Sequence, residues 1–335
     1  MLDRFDIVEW QDVYATSVSL IRGKKINPKS SKSLKPSVLR NATGNLVTVT
    51  AITVDDRNLY ASDSDGGITV WDKSNFDSPK VIPGQTSTQI ISLFSDGQYL
   101  YSGSISGDSE VRVYNTDLDL IEVLKGHVGT IFDITADSHH LVTGSGDATV
   151  KIWKKDDWTN IRSIAAQTHF VLAIGLDEKY IYAGGIDNCT NIFSRSDFRR
   201  ITTLYGHDAS ILSLTVDEKY VYSGSGELWW GGPGSPRPPE FESAVRVWDK
   251  KDWNCVQVLK GHSDNVNAVG VDKSYVYSAS DDGTVRVYSK SDWKEVITVD
   301  SGVGRIIDLA HDDEYVYFGC ADGNIRYICK ADLSD

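Results

Sequence analysis

The chain has 335 residues, 40% of them hydrophobic, and a formal net charge of −13. That supplies apolar material for one large closed architecture or two ordinary domains, and the acidic balance argues against a whole-body affinity for nucleic acid. Four cysteines, Cys189, Cys255, Cys320 and Cys329, form no CxxC pair and no metal-site spacing, so they read as reduced, partly buried thiols with no metal or cofactor implied.

Residues 1–36 stand outside any pattern that follows. Met1 to Leu20 mixes apolar and acidic residues, and its start carries acids where a signal peptide needs bases. No apolar run approaches the ~18 residues needed to span a bilayer, so no membrane span is expected and the expected compartment is cytoplasmic. Between Arg22 and Arg40 lie seven basic residues, and no acid appears until Asp55. This basic segment, 22–40, reads either as a linker lying against its own acidic body or as a contact for an acidic partner, RNA or anionic lipid.

From there the sequence repeats. Trp71, Tyr114, Trp153, Phe193, Trp248, Tyr288 and Ile328 each end a V-x-V-aromatic-like element, with successive steps of 43, 39, 40, 55, 40 and 40 residues. A period near 40 is that of propeller blades, each too small to bury its own apolar faces alone. Within each copy a short apolar first strand ends at Asp: Val49 to Asp55, Ile90 to Asp96, Ile131 to Asp137, Val171 to Asp177, Ile211 to Asp217, Val266 to Asp272 and Ile306 to Asp312. A second strand rich in β-formers follows, then a turn bearing Asp or Asp-Gly, then the third strand and a fourth. Beyond each third strand sits a large apolar residue, Phe76, Leu118, Trp158, Phe198, Trp253, Trp293 or Leu333, expected to plug a turn against the neighbouring blade. The seventh copy stops after its third strand, and Ser37-Val38-Leu39-Arg40 matches the fourth-strand pattern Gln257-Val258-Leu259-Lys260. Val38 and Leu39 are therefore expected as the outer strand of the last blade, which would remove an exposed edge. The expected fold is all-β: a single seven-bladed β-propeller over residues 37–335, of four-stranded antiparallel blades.

Over that range the chain resembles the WD-repeat β-propellers. The resemblance rests on Gly126-His127, Gly206-His207 and Gly261-His262, and on Trp71-Asp72 and Trp248-Asp249. It implies a structural network of His, strand hydroxyl, turn Asp and Trp. Blade three offers His127, Thr143 or Ser145, Asp147 and Trp153; blade five His207, Ser223 and Trp248; blade six His262, Ser278 or Ser280, Asp282 and Tyr288. Blade four departs from it, with Thr168-His169 near the Gly-His position and Phe193 in place of Trp. A His/Ser/Asp set repeated at blade period reads as scaffold, not as a hydrolase triad.

The resemblance implies a non-enzymatic protein-interaction scaffold with other proteins or peptides as partners. Function is expected where the copies differ. His207 to Trp248 spans 41 residues against 26 for His127 to Trp153, and the surplus falls in an insertion at about 227–244 containing Trp229, Trp230 and Phe241. Adjacent tryptophans on a proline-stiffened loop can anchor a partner at low ordering cost, or can fold down to cover the ring. Gln89, His169, Phe170, Ile186, Asn265, Asp281 and Arg305 are expected on the same face. Two alternatives stay open: an enzyme or small-ligand binder using the central channel, with Asp133 and Asp308 as its candidates, and nucleic-acid binding through the basic arm.

Overall fold

A computed structural model describes residues 31–33, 47–84, 89–105, 107–227 and 242–333. Seven four-stranded antiparallel sheets follow one another along the chain. Blade one runs from Val49 to Ile82, blade two from Ile90 to Leu124, blade three from Ile131 to Ala165, blade four from Val171 to Tyr205, blade five from Ser210 to Leu259, blade six from Val266 to Asp300, and blade seven from Ile306 to Cys329. The first strands end one residue before the aspartates that the sequence marks as their limits, as in Ile131–Ala136 before Asp137. The outer position of the seventh sheet is taken by Ser31–Ser33, antiparallel to Ile325–Cys329. Val38 and Leu39, expected there, lie outside the described residues; the strand at this edge comes from a segment several residues upstream.

The core lies between blades rather than within them. Each of seven apolar clusters combines two neighbouring sheets; Tyr101, Val111, Val113 and Leu124 of blade two, for instance, pack with Ile131, Ile134, Leu141 and Trp153 of blade three. The third-strand aromatic belongs to the seam with the preceding blade, as Trp248 does with Tyr182, Ile192 and Leu204.

A second device stitches the seams. The aspartate after each first strand closes the hairpin by accepting two N–H groups through Oδ1, as Asp217 does from Lys219 and Tyr220. Its Oδ2 accepts a buried tyrosine hydroxyl of the second strand: Tyr101 on Asp96, Tyr182 on Asp177, Tyr222 on Asp217 and Tyr277 on Asp272. The same carboxylate receives a cation from the following blade, two residues past the third-strand aromatic. The pairs are Lys155 on Asp96 at 2.6 Å, Lys250 on Asp177 at 2.6 Å, Lys290 on Asp217 at 2.7 Å, Lys330 on Asp272 at 2.6 Å, Lys73 on Asp312 at 2.7 Å, and Arg195 on Asp137. Several of these cations also donate to a carbonyl of their own blade, Lys155 to Asp137 and Lys290 to Asp272, so each spans a hairpin end on both sides of a seam. Burial alone would raise the Asp272 carboxyl; Lys330 and the Tyr277 hydroxyl outweigh it and hold it down at about 2.

The turn plugs pack as expected, with an added cost. Trp158, Trp253 and Trp293 adopt left-handed backbone angles of +58°, +63° and +60°. That conformation costs about 1–2 kcal/mol for a residue with a Cβ. Each indole stands edge-on to a tyrosine of the preceding blade, Tyr99, Tyr180 and Tyr220, at 5.2, 5.3 and 5.3 Å. Such contacts contribute about 0.5–1.5 kcal/mol beyond area burial, which with the burial itself offsets the strain.

One seam lacks its cation. At the place of Lys155, blade two has Thr116, and among the described residues Asp55 meets only neutral donors there, the Tyr60 hydroxyl at 2.8 Å and the Ser95 hydroxyl at 2.7 Å. Burial and the neighbouring Asp55 push the Tyr60 phenol up to about 12. Thr116→Lys is expected to supply the missing pair and raise the urea midpoint. Lys155→Met, which strands the Asp96 carboxylate, should cost about 2–4 kcal/mol in the same measurement.

Candidate functional site

The loops before the first strands and the turns between second and third strands meet on one face. A recurrent bond ties each pair: Ile105 N–H donates to the Gln89 carbonyl, Gly146 to Thr130, Ile186 to Phe170, Asp281 to Asn265 and Ala321 to Arg305. Gln89, Phe170, Ile186, Asn265, Asp281 and Arg305, singled out from sequence, are thus brought together around the ring in linked pairs. Arg305 forms a two-pronged ion pair with Asp281 at 2.8 and 2.9 Å, and Asn267 donates to the same carboxylate at 2.6 Å. His169 is exposed and meets Asp187 at 3.0 Å. Trp229, Trp230 and Phe241 lie outside the described residues.

Beneath this face sits the histidine network. In blade three His127 Nδ1 lies 2.7 Å from Asp147, its Nε2 lies 2.8 Å from the Thr143 hydroxyl, and the Trp153 indole N–H donates to that hydroxyl at 3.0 Å. The strand hydroxyl is therefore Thr143; Ser145 instead donates to the Gly129 carbonyl. In blade six the equivalent set is His262, Ser278 and Asp282, at 2.7 and 2.9 Å, with Ser280 donating to the Asp264 carbonyl. Tyr288 stands in the indole's place, and its hydroxyl donates to the Lys260 carbonyl at 3.3 Å. Burial would raise the Asp147 and Asp282 carboxyls, but the histidines and the Thr149 and Thr284 hydroxyls hold both well below the usual range. Gly126 and Gly261 enter this turn at φ of +149° and +142°, and a Cβ on Gly261 would lie 2.5 Å from the Arg286 guanidinium.

Two blades depart from the pattern. In blade four the buried slot is filled by Gln167, not by Thr168-His169; its amide donates to the carbonyls of Ala183 and Cys189 at 2.7 and 3.3 Å. No motif in the sequence marks that residue. In blade five His207 meets Ser223 at 2.7 Å and Trp248 donates to Ser223 at 2.9 Å, but the sequence has no aspartate between the second and third strands. Among the described residues the buried Nδ1 of His207 has no hydrogen-bond partner. Burial first, and the Arg246 charge second, push His207 down to about 3.

The channel carboxylates also have defined work. Asp133 accepts the N–H of Ile134 at 2.8 Å and, from the next blade, that of Ile174 at 2.7 Å. Asp308 accepts the N–H of Leu309 at 2.8 Å and that of Ile52 at 2.9 Å. Desolvation pushes both up to about 7 against the pull of these donors. Both oxygens of each are engaged, one within its own strand and the other across a seam to the next first strand. Among the described residues no group of three or more His, Cys, Asp or Glu side chains could hold a metal ion.

His127→Ala, which leaves Asp147 without its main donor, is expected to cost about 2–4 kcal/mol in urea denaturation. His207 gives a pH signature. Its folded value lies below the ordinary 6.5, so the stability it contributes is full above about 6.5 and is lost as pH falls toward 3. Between pH 7 and 5 a His207→Gln variant should lack roughly 2 kcal/mol of the acid-induced loss seen in the parent chain.

Comparison with known proteins agrees with this geometry. The family model "WD domain, G-beta repeat" matches residues 118–154 and 253–289. The kinesin-like protein KIF21A of Homo sapiens is 31% identical over 109 residues, 32% of this chain and 6% of that protein. The guanine nucleotide-binding protein subunit beta-1 of Drosophila melanogaster is 26% identical over 129 residues, 36% of this chain and 37% of that protein. The Protein LST8 homolog of the same fly is 26% identical over 115 residues, 32% of this chain and 37% of that protein. The matched part thus spans well under half the length of these curated relatives. A crystal structure of the computationally designed Ika8 protein superposes with a TM-score of 0.66 at 18% identity, over 84% of this chain and 96% of that one, which speaks for the fold alone. With its seven blades, its Gly-His turns and its histidine–hydroxyl–tryptophan networks, the chain belongs to the WD-repeat β-propellers.

Proposed function

We propose that this propeller is a non-enzymatic protein-interaction scaffold in the cytoplasm, working through the face that carries the Gly-His turns and the blade-five insertion. The observation that carries this reading is the way both stems of the insertion are fixed. At the entry, Glu227 and Asn265 of the next blade exchange hydrogen bonds, N–H to side chain at 2.8 Å and amide to carbonyl at 3.2 Å. At the exit, Glu242 N–H donates to Asp208 at 3.0 Å, the Ser225 hydroxyl donates to the Glu242 carbonyl at 2.7 Å, and the Glu242 carboxylate pairs with Arg246 at 2.7 Å. In the sequence, residues 228–241, with Trp229, Trp230 and Phe241, fall between Glu227 and Glu242, the two fixed points just described. A rigid mounting lowers the ordering cost of a binding loop. Similarity to proteins whose names describe subunits of guanine nucleotide-binding assemblies supports the same reading. Among the described residues no helix is long and apolar enough to cross a membrane.

Affinity capture from the native cell should compare the parent chain with Trp229→Ala/Trp230→Ala after matching their melting temperatures. The double variant is expected to lose at least one partner. An unchanged partner list would remove the insertion face from the proposal.

A further inference from the structure

One seam of the ring is built differently from the other six, and the difference centres on Thr116. At every other seam the equivalent residue is Lys or Arg. Its N–H donates to a carbonyl of its own blade's first hairpin, as Lys155 does to His139 and Lys290 to Ser274, and its charge meets the preceding blade's aspartate. Thr116 has neither link. Among the described residues no hydrogen bond engages its N–H or its hydroxyl, and it lies exposed on the turn between Val111–Tyr114 and Leu120–Leu124. Across the seam, Oδ2 of Asp55 accepts the Tyr60 and Ser95 hydroxyls where its counterparts receive a cation. The plug is smaller as well: Leu118 packs on the cluster of blades one and two, whereas the next two seams use Trp158 and Phe198.

A second, independent mark lies in the residues after that hydroxyl. Thr116 is followed by Asp117 and Asp119, acids at the +1 and +3 places by which acidophilic protein kinases select the hydroxyl they modify. Among the described residues only Ser62, with Asp63 and Asp65, repeats the pattern, and Ser62 is fully buried in its strand. The exposed turn serines of other blades, Ser74, Ser196 and Ser291, lack it and are bonded to Asp72, Ser194 and Ser289.

We infer that Thr116 is a phosphorylation site for an acidophilic serine/threonine kinase, and that the phosphate loosens the seam between blades one and two. In the transfer, Oγ1 of Thr116 attacks the γ-phosphorus of ATP, the bond from that phosphorus to the bridging oxygen of ADP breaks, and the hydroxyl proton passes to the kinase's base. The product carries about −1.5 to −2 charges at neutral pH. It stands where the other six seams place a cation for the preceding blade's aspartate, here Asp55, and Asp117 and Asp119 flank it on its own turn. Like charges in that arrangement repel. Lys73, whose ammonium donates to the Asp55 carbonyl at 3.1 Å, is already committed to the Asp312 carboxylate at 2.7 Å. The seam with the fewest holding devices is thus the one that a single covalent change can weaken further.

The test incubates the full chain with ATP and a recombinant acidophilic serine/threonine kinase and maps the product by mass spectrometry. Phosphate is expected on Thr116, absent there from Thr116→Val and retained in Thr116→Ser. Asp119→Asn should slow incorporation by about tenfold or more, because the +3 acid is part of what such a kinase recognises. The phosphorylated chain should melt about 2 °C or more below the unmodified one, opposite in sign to the rise expected of Thr116→Lys. In an Asp55→Asn background, measured against its own unmodified form, that drop should shrink by roughly half or more. Should Asp55→Asn fail to fold, hydrogen exchange on the parent chain decides instead: the phosphate should speed exchange in blades one and two and leave blades four and five as they were. Absence of phosphate from Thr116, or a rate indifferent to Asp119→Asn, overturns the site. An unchanged melting temperature, a drop of equal size with Asp55→Asn, or exchange altered equally in all blades overturns the loosening. So does a rise in melting temperature that disappears in Arg57→Gln, which would mean that the phosphate pairs with blade one's hairpin and tightens the seam.

Discussion

No blade of this ring can exist by itself, because its sheet has apolar side chains on both faces and only one neighbour on each side to cover them. The structure meets that constraint with contacts at every seam: an apolar cluster shared by two sheets, a cation reaching back to the aspartate of the preceding blade, and, at several seams, an aromatic side chain laid on the preceding blade's tyrosine. The ionic contact is partly shielded from water. The Lys155 ammonium and the Asp96 carboxylate are 6% and 13% exposed, so salt screens them weakly and loss of either partner strands the other. Stability is thereby shared around the circle, with a cation pair at six seams and Thr116 where a cation belongs at the blade-one to blade-two seam.

The same distribution explains why the histidine networks can vary. Blade three has the full set, blade six has a tyrosine in the indole's place, blade five has a histidine without its aspartate, and blade four uses Gln167. The slot must be filled by something that satisfies buried carbonyls or hydroxyls, and several chemistries do so. The Gly-His signature is thus a local solution to a satisfaction problem, and the ring stands with only some blades using it.

Much of this was legible because the repeat makes each blade a control for the others. The aspartates that close the first hairpins, the second-strand tyrosines and the V-x-V-aromatic strands recur at fixed offsets, and alternation with turn residues places the strands to within a residue. Other contacts hid for physical reasons. Lys155 and Asp96 are 59 residues apart and belong to different copies, so within one repeat each reads as an ordinary solvated charge. Thr143 and Ser145 are hydroxyls two apart on one strand face, and only their depth decides which one meets His127. Of the face residues, Gln89, Phe170, Asn265, Asp281 and Arg305 could be placed from alignment. The stacking of Phe132 on Phe170 could not, because it depends on a bulge that shifts Phe132 out of the strand's alternation.

That bulge separates two jobs that a β-strand usually merges. On either side of it, Ile131 and Ile134 answer to the core, and their size and shape are held by packing against the neighbouring blade. Phe132 answers to nothing inside the seam clusters, and neither do its six counterparts. These positions differ from blade to blade, and some carry bonds of their own, as Asn267 does to the Ile306 carbonyl of the next blade at 2.8 Å. The bulge thus lets one strand hold the hub with Ile131 and Ile134 while turning Phe132 toward a different neighbour, Phe170 of the next blade.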